Sequence, residues 1–388
     1  MKSYGHLWEK FISDDNVKLA IHNYAKGKRK RREVRAYLAD EEAAVAKLKD
    51  IAEHYKNARH VPKQIYDGIT RKKRTIIVPK AHEQVVHHMI VNVLSPIIMH
   101  GMYEHSNGSI PGRGAHRGKK SIERWLHHQT RNVKYCLKMD IRKFFDSIPH
   151  EILIAKLEKI IRDERFMGLL REIISVTEIG LPLGFYTSQW LANWYLQDLD
   201  HFIKEDLGAP HYMRYMDDMV IFGPSKKKLH RMREEIDAYL HRELGLELKD
   251  NWQVFRYSYK DGEGNDRGRD LDYMGFRFFR DRTVLRRHIM FKASRKARRI
   301  ARKKKPTLFE IRQMMSYVGW IKHTMTHGFY LRWIRPFVNL KTLRRRLSNY
   351  DKRQREKEAR DGLDLRAEHG APGGIRHHEL QTVQFCPS

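Results

Sequence analysis

The residues best suited to chemistry in this chain are acids placed where acids are unusual. Residues 211–223 read HYMRYMDDMVIFG, and two β-type runs, 212–215 and 219–222, flank the pair Asp217–Asp218. Strands that close together need a tight turn, and Asp tolerates turn geometry. A hairpin therefore carries two carboxylates side by side at its tip. Such neighbours repel, and loss of water sharpens the repulsion. A bound divalent cation removes it. Few, hard oxygen ligands suit Mg²⁺, which keeps waters and shares substrate phosphates; Mn²⁺ is the alternative ion. A solvated turn is the ordinary reading of two adjacent aspartates. Here, however, Tyr215, Met216, Met219, Val220 and Ile221 crowd the pair with apolar side chains. A second acid closes another apolar run: residues 133–148 read VKYCLKMDIRKFFDSI, with Asp140 at the end of the β-like segment 135–139. A carboxylate in that position is costly unless paired or bound to metal. If the two strands are neighbours, Asp140, Asp217 and Asp218 converge. Two Mg²⁺ ions held that way activate a 3′-hydroxyl and stabilise a pyrophosphate leaving group.

The rest of the composition agrees with a phosphate-rich partner. The chain has 388 residues, room for two or three domains with real cores. Its 77 Lys and Arg outnumber 47 Asp and Glu, a net charge of +30 with pI near 10.0. That surplus marks a polyanion binder, and nucleic acid is the obvious polyanion. A membrane partner is not expected, because no apolar run approaches the roughly 20 residues a spanning helix needs. The N-terminal MKSYGHLWEKF lacks a signal-peptide core. Cys136 and Cys386 are far apart, so no disulfide framework is expected, and Cys136 reads as a buried thiol. These features together point to a cytoplasmic protein. The 23 histidines show no HExxH or Cys/His zinc spacing.

Several elements must position the acids. Residues 1–60 read as basic helices, with 17–24 and 40–56 amphipathic around KGKRKRREVR at 26–35. Residues 64–68 and 75–79 form a hairpin whose tip holds Thr70-Arg-Lys-Lys-Arg74. Lys72 and Arg74 project from it, and Arg grips phosphate oxygens bidentately. Residues 81–102 are a core helix. SNGSIPGRGAHRGKKS, residues 106–121, reads as a Gly-rich basic loop in which Arg113, His116, Arg117 and Lys119 meet phosphates, with a helix restarting over 121–128. A helix follows Pro149, through 161. In GLPLGFYTSQWLANWYL, residues 180–196, a turn at Pro182 and Gly184 precedes a helix from about Thr187. Residues 257–269 read as a polar surface loop. Residues 286–305 carry eleven Lys or Arg and no acid, and 307–336 resume an amphipathic helical pattern. A basic helical surface of that kind tracks a duplex by its phosphates. Residues 348–362 form a charged helix, and 363–388 have no clear pattern.

In this order the motifs resemble those of reverse transcriptases over roughly residues 60–345. Asp140 with Phe145 five residues on, LPLGFYTSQ, and YMDD look like the palm motifs; RKKRTIIVPK looks like the preceding fingers motif and LDYMGFRFF, 271–279, like the primer grip. The closest pattern is bacterial, group II intron-like enzymes without the extra DNA-cutting domains. Ser188-Gln189 stands where intron and retroviral enzymes usually carry Ser-Pro, and Leu183 where accurate enzymes usually have Gln. With the IPGRGAHRG loop, that combination looks most like reverse transcriptases of diversity-generating retroelements, which copy template RNA with frequent errors opposite adenine. Defence-associated reverse transcriptases come next.

The resemblance implies an α+β right-hand polymerase with fingers, an RRM-like antiparallel-sheet palm and a helical thumb. Its expected spans are an N-terminal basic helical extension at 1–60, fingers at 61–132, palm with inserted fingers helices at 133–285, thumb at 286–350 and a charged tail at 351–388. By the same resemblance Asp140, Asp217 and Asp218 bind two Mg²⁺ ions, Asp140 and Asp217 foremost. Phe145 is the steric gate against a 2′-hydroxyl. Leu183, Gly184 and Gln189 line the nascent base pair, while Lys72 and Arg74 hold the triphosphate. Lys249 approaches the pyrophosphate. Arg113, His116, Arg117, Tyr273 and Gly275 contact RNA or primer. The implied partners are template RNA, a DNA or RNA primer, dNTPs and a small basic accessory protein. The competing class is a non-catalytic, maturase-like RNA binder on the same fold.

Overall fold

The acids are positioned by a four-stranded antiparallel sheet that separates two hydrophobic cores. The computed structural model of the chain describes residues 3–66 and 73–360. Four helices open it: α1 (Leu7–Ile12), α2 (Asp14–Ala25), α3 (Arg32–Ala39) and α4 (Glu41–Glu53). Side-chain caps start two of them: the Ser13 hydroxyl accepts from Asn16 N and the Asp40 carboxylate from Ala43 N. Helices α1, α2 and α4 pack on α5 (Ala81–His100), which follows the antiparallel hairpin β1 (Lys63–Tyr66) and β2 (Lys73–Ile76), while α3 packs on α2 and α4. The tip of that hairpin, with Lys72, lies outside the described residues.

Helix α6 (Ala115–His128) starts six residues before the expected restart. The last seven residues of the stretch read as a Gly-rich loop, 115–121, are therefore helical. Gly118 is tolerated inside the helix because it lies flush against Met274; an added Cβ would stand 2.7 Å from that side chain.

Strand β3 (Tyr135–Asp140) leads through α7 (Phe144–Ser147), α8 (His150–Glu158), α9 (Glu164–Ile174), α10 (Tyr186–Tyr195) and α11 (Gln197–His201) to the hairpin β4 (His211–Tyr215) and β5 (Asp218–Gly223). Helix α12 (Lys226–Leu244) returns the chain to β6 (Gln253–Arg256). The strand order is β4-β5-β3-β6, every pair antiparallel. This is the split β-α-β arrangement that the resemblance implies for the palm.

Period-two alternation sorts the side chains of the sheet. Leu137, Met139, Tyr212, Met219 and Ile221 face the larger core, shared with α1, α2, α5, α9 and α10. Cys136, Met213, Val220 and Phe222 face the other. Each such fully buried side chain contributes about 1.5–3 kcal/mol relative to exposure. Burial also raises the pKa of the Cys136 thiol, as befits an inert core residue.

Where a polar loop was expected, the short pair β7 (Tyr259–Lys260) and β8 (Asp266–Arg267) forms. A three-stranded sheet follows: β9 (Leu271–Tyr273), β10 (Phe276–Phe278) and β11 (Thr283–Leu285). The basic run then folds as α13 (Arg287–Ala301), and α14 (Leu308–Lys322) begins with a Thr307–Glu310 capping box. Helices α15 (His327–Trp333) and α16 (Leu340–Arg360) complete the described chain. Helix α16 begins eight residues before the expected charged helix, because Leu343 is buried in the second core. Among the described residues no helix is long and apolar enough to cross a membrane.

Candidate active site

The two acid-bearing segments are neighbours. Strand β3 pairs with β5 in a register that sets Asp140 directly opposite Asp218. Both carboxylates have the parity of Cys136 and Val220, so they leave the same face of the sheet. Asp217 occupies the two-residue turn between Tyr215 and Asp218, which pair across the hairpin. Its carbonyl accepts from Ile141 N at 3.3 Å, and its carboxyl group is close enough to Asp140 to be raised in pKa by it. Two acid-bearing segments distant in sequence thus meet at one sheet end.

The electrostatics are those of an unneutralised cluster. Burial first, then the charge and hydrogen bond of Asp140, push the Asp217 carboxyl well above the usual carboxylate range. Burial likewise raises Asp218 to about 6, against the opposing pull of Lys138. The Lys138 ammonium stands 4.0 Å from Asp218 Oδ2, and Lys249 ion-pairs with Asp140 Oδ2. Lys249 is held there by its backbone, whose N–H donates to Asp140 O at 2.8 Å, prolonging the β3–β6 ladder past its last regular pair.

Two buried oxygens, Asp140 Oδ1 and Asp218 Oδ1, have no hydrogen-bond donor. Orphan anionic oxygens of this kind suit a hard divalent cation, so the residues present fit Mg²⁺. Among the described residues no three His, Cys, Asp or Glu are already arranged as a ligand set.

The residues expected at the nucleotide come together through backbone contacts. The turn at 180–184 lies on the segment after Asp140: Leu181 N donates to Phe145 O at 2.6 Å and Gly180 N to Ile148 O at 3.0 Å. Leu183 O accepts from Ile77 N at 2.8 Å, joining the turn to the strand that carries Arg74. Gly184 has φ +114 and presses on that junction, so a Cβ there would stand 2.0 Å from Ile77 O. Phe144 is buried while Phe145 is half-buried, the two rings meeting edge to face at 5.5 Å. Leu183 and Gln189 are also half-buried.

Three residues expected at nucleic acid are engaged inside the protein. The Tyr273 side chain is fully buried, and its hydroxyl donates to Asp218 O at 2.8 Å. It braces the hairpin and offers a primer no surface. Gly275, at φ +86, is buried in a turn where an added Cβ would stand 2.9 Å from the Trp320 ring. Its place is the joint between β9–β10 and α14. One Arg113 nitrogen donates to Tyr103 O and Ser106 O at 2.6 and 3.0 Å, which ties the loop together. His116 packs 5.5 Å from the Trp320 ring, and Arg117 Nη2 lies 3.7 Å from Glu104 Oε1. Both lie on α6.

The sequence reading passed over Arg214, Asp200 and Asn193, which are buried beneath the turn. A signal was present: Arg214 shares the core parity of Tyr212, and a cation in such a place needs a buried partner.

Residues 61–278, more than half of the chain, match the family model described as "Reverse transcriptase (RNA-dependent DNA polymerase)". An uncharacterized 91 kDa protein in the cob intron of Schizosaccharomyces pombe is 33% identical over 210 residues, covering 48% of this chain and 24% of that protein. Retron Ec73 reverse transcriptase of Escherichia coli is 27% identical over 207 residues, 48% of this chain and 62% of that enzyme. Group II intron-encoded protein LtrA of Lactococcus lactis subsp. cremoris is 25% identical over 228 residues, 54% of this chain and 35% of that protein. The chain spans less than two thirds of the length of each of these relatives. The family match takes in both acid-bearing strands and the turns packed on them, and on that extent the chain belongs to the reverse transcriptase family.

Proposed function

We propose that the chain is an RNA-directed DNA polymerase that makes cDNA from a structured template RNA, and that the copying is error-prone, as in a diversity-generating retroelement. One observation carries the polymerase reading: Asp140 and Asp218 oppose each other across β3–β5, each with an orphan buried oxygen, and Asp217 sits beside them. A protein that only binds RNA gains nothing from buried acids aimed at a polyanion. Divalent ions bound there would polarise the 3′-hydroxyl and neutralise charge on the leaving pyrophosphate.

The chain's own residues supply position. Asp140, Asp217 and Asp218 hold the ions. Lys249, already beside Asp140, offers its ammonium to the phosphates once nucleotide draws it away. Arg74, with Lys72, grips the triphosphate. Phe145 stands against the 2′ position, and Gly184 and Gln189 border the new base pair. Positioning and charge stabilisation account for most of phosphoryl transfer catalysis. The spans 61–132, 133–285 and 286–350 serve as fingers, palm and thumb. The basic face of α13 follows the primer–template duplex, and a small basic protein assists.

The error-prone reading rests on Leu183. An aliphatic side chain cannot hydrogen-bond the nucleotide or template as Gln does, and discrimination is a difference of affinities. The test is primer extension by the purified chain with template RNA, Mg²⁺ and dNTPs, followed by sequencing of the cDNA. We expect extension that Asp217→Asn abolishes, errors concentrated at template adenines, and fewer such errors for Leu183→Gln. Extension by Asp217→Asn at the wild-type rate would overturn the site. Repetitive or untemplated product would turn the reading toward a defence enzyme.

A further inference from the structure

We propose that Arg214 is a positioning residue for the catalytic turn, acting through the carbonyl of Met216. The proposal rests on the reading that Asp140, Asp217 and Asp218 hold the divalent ions.

Arg214 lies in β4 with its guanidinium turned into the larger core, at 0% exposure. All three of its nitrogens are engaged. Nε and Nη2 donate to Asp200 Oδ1 and Oδ2 at 2.7 and 2.6 Å, a bidentate pair with a carboxylate that is also 0% exposed. Nη2 further donates to Asn193 O at 3.2 Å, and Nη1 to Asn193 Oδ1 at 3.1 Å. The remaining bond goes forward, from Nη1 to Met216 O at 3.0 Å.

That carbonyl belongs to the peptide linking Met216 to Asp217. Met216 has φ +56, a left-handed conformation that a non-glycine residue keeps only when its surroundings enforce it. The surroundings are present on each side. Asn193 Nδ2 approaches Met216 Sδ at 3.3 Å and donates to Gly108 O at 2.9 Å. Gly108 lies so close that an added Cβ would stand 2.6 Å from Met216 N. Asp200 is itself fixed by the Tyr212 hydroxyl at 2.7 Å. The network therefore runs from α11 and α10 into the strained turn and sets the direction in which Asp217 leaves it.

A buried ion pair adds little to stability that two apolar side chains of similar volume would not. Apolar side chains cannot donate to the Met216 carbonyl. The double variant Arg214→Met/Asp200→Leu separates the two roles, because neither buried charge is left unpaired. Its readouts are thermal unfolding, Mn²⁺ affinity of the nucleotide-free protein by paramagnetic resonance, and kcat and KM for dNTP in primer extension. We expect a melting temperature lowered by only a few degrees, because buried polar groups lose partners but no buried charge does, with Mn²⁺ affinity weakened about tenfold or more and kcat lowered about a hundredfold, the cost typical of a roughly 1 Å misplacement of a catalytic group. Arg214→Lys should not restore kcat, because an ammonium keeps the charge but lacks the fork.

Wild-type Mn²⁺ affinity and kcat in a double variant with near-native melting would overturn the proposal. If the double variant does not fold, Gly108→Ala decides: it leaves the ion pair intact but displaces Met216, so the same losses are expected, and wild-type values overturn the proposal. Asp217→Asn is run alongside. Undiminished extension in that variant means that the carboxylate reading has failed. Wild-type behaviour of the Arg214 variants beside an inactive Asp217→Asn means that the present proposal alone has failed.

Discussion

At the scale of single residues, the site carries repulsion among buried acids that a bound cation would relieve, and Lys138 and Lys249 lie beside them. Asp217 and Asp218 both have raised pKa values through burial, so each costs stability as an anion in the metal-free fold. Asp217→Asn should therefore abolish extension and yet raise the metal-free melting temperature at pH 8 by about 1 °C, roughly what 1 kcal/mol shifts in a chain of this length; differential scanning calorimetry checks it. Tyr273 acts in the opposite sense. Its hydroxyl is the donor to Asp218 O at 2.8 Å in a fully buried setting. Tyr273→Phe leaves that carbonyl without its side-chain donor, at about 1 kcal/mol, and should lower both melting temperature and kcat without changing KM for the template. Tyr273 was read from sequence as a primer contact because a motif gives a residue's place in the chain and not its depth.

At the scale of elements, the critical junction is the one between the β1–β2 hairpin and the turn before α10. Ile77 N, Leu183 O, Leu181 N and Phe145 O link three separate segments, and Gly184 has no room for a side chain. Gly184→Ala should lower kcat/KM for dNTP about tenfold or more, because both strain at φ +114 and a clash with Ile77 O must be relieved. Gly168 is the matched control: it lies inside α9 with open space around it, so Gly168→Ala should stabilise the fold by about 0.5–1 kcal/mol and leave kinetics unchanged. Steady-state nucleotide titrations compare the two. The acid-bearing strands were legible because period-two alternation and a terminal Asp are local signals. The early start of α6 was not, since glycines in IPGRGAHRG look like loop until Gly118 is seen against Met274. Nor was the Arg214–Asp200 pair, whose members are fourteen residues apart in sequence and meet only once α11 docks on β4.

At the scale of the whole molecule, the sheet divides two cores, and several buried histidines lie in or beside them. Burial lowers His87 and His88 to about 3 and His211 to about 4. Below about 6.5 the unfolded chain binds protons at these positions that the folded chain does not, so stability falls as pH drops from there toward 4. Asp217 and Asp218 work the other way without metal: their raised pKa values make the fold gain protons first, which favours it as pH falls through about 6. If Asp217 and Asp218 hold Mg²⁺ as proposed, millimolar Mg²⁺ would cancel that gain by keeping both acids ionised. Melting temperature should therefore fall more steeply between pH 7 and 5 with Mg²⁺ than without it, as a pH series of thermal scans would record. The most direct test of the whole account is a crystallographic one. A complex with template RNA, a primer lacking its 3′-hydroxyl, a dNTP and Mn²⁺ would give an anomalous map. We expect Mn²⁺ peaks about 2.1–2.2 Å from carboxylate oxygens of Asp140 and Asp217, with triphosphate oxygens completing the shell. Bound nucleotide with no peak there, or peaks at other residues, would contradict it.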